Sequence, residues 1–157
     1  ASCLPAPVQR RLPIWIGGVG EKRTLQIAAR HADGWNAAYV SPREFARLSG
    51  VLDDWCAKAE RDPAEITRTV NLSFHLSLDE KSAVREEALL RSTWGATAER
   101  MLSGALIGTP ERAIETLEAY ADAGAQGINI ALRAPWDREA LDAYLERVVP
   151  ALRRRPG

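Results

Sequence analysis

"PIWIGGVGEKRTLQIAARHADGWN", residues 13–36, carries the pattern on which the reading of this chain turns. "PIWIG" (13–17) is a short β-branched and aromatic run closed by glycine, the mark of a buried strand. Gly17, Gly18 and Gly20 follow. From Glu21 to His31 the spacing turns helical, with Leu25, Ala28, Ala29 and Ala32 on one face and Lys22, Arg23, Gln26 and Arg30 toward solvent. "GWNAAY" (34–39) reads as a second strand, launched by an Asp33-Gly34 turn. Glycines between strand and helix admit two structures. One is an anion site, because a helix start offers unpaired N–H groups and glycine lets the backbone approach a phosphate. The other is a tight turn without a ligand. The named glycine motifs do not fit. After Gly18-Val19-Gly20 a dinucleotide fingerprint needs glycine at position 23, where Arg23 stands, and no G-x-x-x-x-G-K-[ST] run is present.

Working outward, residues 1–12 are rich in Pro and Arg and read as an extended arm. "SPRE" (41–44) starts a helix, with Ser41 as cap, Pro42 in the first position and Glu44 closing a capping box. Its apolar stripe is Phe45, Leu48, Leu52, Trp55, Cys56 and Ala59. Asp62 caps a short turn at 61–66. "RTVNLSFHLSL" (68–78) alternates strictly. Val70, Leu72, Phe74, Leu76 and Leu78 point one way, while Asn71, Ser73, His75 and Ser77 point the other. Residues 79–103 read as helix interrupted near Gly95. "GTPERAIETLEAYADAGAQGINIAL" (108–132) gives a helix capped by Thr109, lined by Ile114, Leu117 and Ala121 and ended by Gly124. The strand "GINIAL" (127–132) follows. Asp137 then caps a last helix that buries Leu141, Tyr144, Leu145, Val148, Val149 and Leu152. Four strands alternating with four helices imply parallel pairing with right-handed crossovers.

Composition narrows the function classes. Across 157 residues, 21 Lys plus Arg balance 21 Asp plus Glu, against the basic excess of a nucleic-acid footprint. No apolar run reaches the ~20 residues of a membrane span. Cys3 and Cys56 form neither metal spacing nor a disulfide framework, which fits a reducing, cytoplasmic setting. The arginines at 10–11 and 153–155 read as solvated ends. The chain starts Ala-Ser-Cys-Leu-Pro and its lone methionine is Met101, so residue 1 reads as a processed or clipped start. His75 is a candidate proton donor or a hydrogen-bonded structural residue, and His31 suits a helix C-terminus. Trp55 and Trp136 read as packing residues, Trp94 as bordering a site mouth, and Asp53-Asp54 and Glu86-Glu87 as exposed helix faces.

The 13–36 string resembles the luciferase-like monooxygenases, flavin- or F420-dependent oxidoreductases on a TIM barrel. "SPREFARLSGVLDDWCAKAERDPAEI" (41–66), the 108–132 stretch and "LERVVPALR" (145–153) resemble the same family in the same order. The resemblance implies that the loop of Gly17, Gly18, Val19 and Gly20 holds the phosphate of FMN or F420, with Asn36 and Ala37 on the same rim; Lys22 or Arg23, read from the residues, either adds charge there or stays solvated. It implies no catalytic residue and no metal in this chain. A complete barrel needs about 250 residues, so the fold expected is a parallel (βα)4 half of a TIM barrel forming one domain. Its open edges and uncovered face imply self-association or pairing with a separate N-terminal half, and inactivity alone. Two other readings stay open: a half-barrel that associates without cofactor, and a barrel that uses the same loop for a sugar phosphate.

Overall fold

The computed structural model describes residues 4–134 and 136–153. Cys3 and the arginines at 154–155 lie outside them. Residues 4–13 carry no helix or strand and are exposed. The chain then runs β1 (Trp15–Gly17), α1 (Thr24–His31), β2 (Gly34–Ala38), α2 (Pro42–Lys58), β3 (Thr67–Leu76), α3 (Glu80–Trp94), α4 (Ala98–Leu102), β4 (Ala105–Gly108), α5 (Pro110–Asp122), β5 (Gly127–Ala131), α6 (Arg138–Ala143) and α7 (Val149–Arg153). Every strand pair is parallel. The architecture read from the sequence is therefore the architecture present: an α/β fold on a parallel sheet with helical crossovers.

β3 organises the sheet. Its odd-numbered residues exchange backbone bonds with β2 and β4: Thr67 N donates to Asp33 O, Ser73 N to Gly104 O and Ser77 N to Gly108 O. On the other edge Gln126 N, just ahead of β5, donates to Arg68 O. So β2 and β4 lie end to end along one edge of β3, and β5 lies along the other. The path β1–β2–β3–β5 holds the four strands expected. β4 is a fifth, inside a stretch that carried no strand signal. It extends the ladder of β2, which ends at Ala38. There the chains pass so closely that a Cβ on Gly104 would lie 2.2 Å from the Tyr39 carbonyl carbon.

Because the pleat alternates, register partners share a face. Trp35, Val70 and Leu72 point toward the helices and are fully buried. The expected stripe of α2 packs there, with Phe45, Leu48, Leu52 and Cys56 buried. Phe45 stacks on Trp35 at 5.5 Å between ring centroids and meets the edge of Tyr120 from α5. Burial pushes the Tyr120 hydroxyl's pKa up, and that hydroxyl donates to Val40 O.

Several local readings shift. α1 starts at Thr24, because residues 21–23 form a turn first. Ser41 Oγ accepts from Glu44 N, but the Glu44 carboxylate turns to Arg47 instead of closing the box. Thr109 sits at the cap of α5, where its carbonyl accepts from Ala113 N but its side chain makes no cap hydrogen bond. The Glu111 carboxyl is held below its usual value by its own backbone N–H and then by the Thr109 hydroxyl. The buried positions of α5 are Pro110, Ala113, Leu117 and Tyr120; Ala121 is exposed, as are Leu78 and Leu145. A π-helical turn at Tyr144–Val148 adds a residue to one turn and rotates Leu145 off the buried face.

Gly104→Ala forces a methyl against backbone that cannot move aside. The variant should lose about 1–3 kcal/mol or more, read as a lower urea midpoint, whereas Gly50→Ala, with open space around it, should not be destabilised.

Candidate functional site

The glycines occupy the C-terminal end of β1, where a parallel α/β sheet gathers its ligands. Gly18 has φ +123°, a conformation open to glycine and strained for other residues. Its N–H donates to Asn36 O at 3.1 Å, so one amide expected to face a ligand is spent on the sheet. The turn's carbonyls are spent as well. Gly18 O accepts from the Trp35 indole Nε1 at 2.8 Å, Glu21 O from the Trp55 Nε1 at 2.8 Å, and Gly20 O from Leu25 N at 3.0 Å. Among the described residues, the amides of Val19 and Gly20 donate to no protein acceptor. Both residues are exposed.

Charge follows the same division. The Glu21 carboxylate, the one acid in the turn, accepts from Arg47 Nη2 at 2.8 Å. Arg47 also holds Glu44. Lys22 is exposed and pairs with no carboxylate among the described residues. Thr24 underlies the turn: a Cβ on Gly20 would stand 2.8 Å from its Oγ1. The spacing did not single out Thr24, Trp35 or Trp55 as parts of this turn. Trp55, read as packing alone, is both a packing residue and a donor.

The strand leading in is anchored from below. Asp33 Oδ2 accepts from Ile14 N at 2.7 Å, and Oδ1 pairs with Arg11. The Ile14 N–H, first of all, holds the Asp33 carboxyl below its ordinary value. Asn36 partners Gly17 in register. Its Oδ1 accepts from Thr69 Oγ1 at 2.9 Å and from Asn129 Nδ2 at 3.5 Å. These residues, with Asn71 and Ser73, share the face turned away from the packed helices, the polar face expected from the alternation. Trp15 lies there over Gly34, half exposed.

Further along the same rim, a cleft of about 540 Å³ opens at the C-terminal end of β3, between α3 and the segment after β5. His75 Nδ1 lies 3.3 Å from Glu86 Oε1, and its ring meets the edge of Trp94 at 5.5 Å. Glu86 is thus a half-buried partner and not a plain exposed helix face. Trp94 packs on His75 and does not itself line the cleft. Trp136 lines it at 53% exposure, which corrects the reading of this residue as packing. His31 ends α1 in the open.

With this geometry in place, comparison with known proteins adds the family. The profile of the luciferase-like monooxygenases matches residues 1–100. This chain belongs to that family. No curated protein matches it in sequence. Among solved structures it is similar to the coenzyme F420-dependent tetrahydromethanopterin reductase of Methanopyrus kandleri, at 17% identity and TM-score 0.66, covering 89% of this chain and 51% of that one. It is also similar to EDTA monooxygenase from Chelativorans, at 15% identity and TM-score 0.70, covering 95% and 46%. A third is the oxygenating constituent of 3,6-diketocamphane monooxygenase from Pseudomonas putida, solved in complex with FMN, at 16% identity and TM-score 0.62, covering 88% and 48%. At such identities the likeness shows the fold, that of the TIM-barrel luciferase-like enzymes. The chain spans about half the length of the structures it matches. Among the described residues no helix is long and apolar enough to cross a membrane.

Trp35→Phe keeps the ring stacked on Phe45 but removes the donor to Gly18 O. It should cost about 1–3 kcal/mol, read as a lower urea midpoint with an unchanged slope.

Proposed function

We propose that this chain is the cofactor-phosphate half of a flavin- or F420-dependent oxidoreductase. Its parallel strands would make one domain, half of a TIM barrel, in the cytoplasm. The observation that carries the reading is the division of labour in the turn. Its carbonyls at 18, 20 and 21 are tied back into protein, while the amides of Val19 and Gly20 stay without an acceptor at the C-terminal rim. A phosphate fits this arrangement: the Val19 and Gly20 amides keep no protein acceptor among the described residues, both residues are exposed, and Arg47 neutralises the one carboxylate. Lys22 would supply a mobile positive charge and Asn36 a side-chain amide on the adjoining strand. Bound FMN or F420 would bring the hydride-transfer or oxygen-activating chemistry of its ring. This chain's residues would hold and orient its phosphate tail, and no proton-transfer role is assigned to any of them.

The exposed polar face with Asn129, and Trp15 and Ile14 beside it, support completion by a second copy or by a separate N-terminal half, the chain being inactive alone. The exposure of Trp15 equally favours a second reading, a half-barrel that associates and holds no cofactor.

The test is a titration of FMN and of F420 into the protein, followed by quenching of cofactor fluorescence. Wild type should bind one of the two. Val19→Asp sets a carboxylate beside the free amides at a position with ordinary φ, and should weaken binding about tenfold or more by like-charge repulsion with an unchanged circular dichroism spectrum. Binding equal to wild type in that variant would contradict the reading. No quenching by either cofactor, with a solution mass of two or more chains, would favour the second.

A further inference from the structure

The cleft at the end of β3 has features that phosphate binding at the glycine turn does not use. Arg133 follows β5, and among the described residues its Nη2 meets only the Tyr39 hydroxyl, at 3.4 Å. Arg85 on α3 donates to Ser82 Oγ at 3.2 Å and lies within electrostatic reach of Asp79. Among the described residues neither guanidinium pairs with a carboxylate. The carboxylates that share the cleft are already engaged: Glu86 with His75, and Asp137 with the backbone N–H groups of Glu139 and Ala140. Two guanidiniums in one cleft, neither in an ion pair among the described residues, favour an anion.

Ser73 gives an independent sign. It lines the same cleft at 6% exposure, and its hydroxyl has no hydrogen-bond partner among the described residues. A buried hydroxyl without a partner costs stability, and a polar ligand group in the cleft would relieve that cost. Leu76, Leu89, Ala131 and Trp136 add an apolar wall beside Ser77 and Ser82, so the cleft suits more than an inorganic ion.

We propose that this cleft binds an organic anion, its negative group between Arg85 and Arg133 and its apolar body against Leu76, Leu89 and Trp136. The inference rests on the oxidoreductase reading for its meaning: the anion is then the substrate class of that enzyme. Carboxylate and phosphate ester share the chemistry the two arginines recognise.

Calorimetric titration of the full chain with benzoate, phenyl phosphate and neutral benzyl alcohol tests it, the first two separating carboxylate from phosphate ester. At least one anion should bind about tenfold tighter than the alcohol, and more weakly as salt rises. Arg133→Gln and Arg85→Gln should each weaken anion binding about tenfold while leaving the alcohol unaffected, with circular dichroism unchanged. Equal binding of alcohol and anions, or arginine variants that bind as wild type does, would overturn the proposal. A parallel FMN and F420 titration separates the two readings. Cofactor bound without either anion removes this cleft's role and leaves the cofactor site standing. An anion bound without either cofactor supports the anion site and removes the oxidoreductase reading.

Discussion

One indole orders the region that matters most. Trp35 is fully buried on the helix side of β2, stacked on Phe45, and its Nε1 reaches up to Gly18 O. The ring is therefore fixed by the core of the fold, and the carbonyl is fixed by the ring. A turn with its carbonyl held inward has its neighbouring amides left for the other side. Trp55 repeats the device from α2 at Glu21 O. The conformation of the exposed turn is thus set by buried aromatic packing and not by the turn's own few contacts.

The second constraint is the parallel register around β3. Alternation along that strand divides the sheet into an apolar face covered by helices and a polar face carrying Thr69, Asn71, Ser73 and His75. The division continues across Asn36 and Asn129 because their register partners lie on the same face. The family's barrel would enclose this polar face, and here it forms the surface beside which the cleft opens.

How much of this was legible in the sequence follows from the range of each signal. β3 was plain because its alternation is long and strict, and α2 because a cap, a proline and an apolar stripe agree. β4 was hidden because "ALIG" is four residues of unbroken apolar sequence behind a helix, too short to show a period. Its strand state comes from pairing with the end of β3. The start of α1 was placed early because Glu21, Lys22 and Arg23 are good helix formers. The Trp55 indole holds the Glu21 carbonyl in a turn, and that contact is remote in sequence. Leu145 was misplaced because a π turn breaks the 3.6-residue period on which the reading depended. The glycine turn was legible as a location but not in its polarity: which amides are free depends on Trp35 and Asn36, and both act across the sheet. The cleft was legible only as one candidate residue, His75. His75, Glu86 and Arg133 come from three elements, and no local spacing joins them.

The central claim is that the Val19 and Gly20 amides are free donors poised for an anion. Backbone amide spectra by nuclear magnetic resonance read it residue by residue. In the free protein, hydrogen exchange at Val19 and Gly20 should be fast and at Gly18 slow, since Gly18 N is bonded to Asn36 O. On adding FMN or F420, the Val19 and Gly20 resonances should shift and their exchange should slow. Protection of both amides before any ligand is added, or cofactor-induced shifts that leave these two residues untouched, would contradict the account.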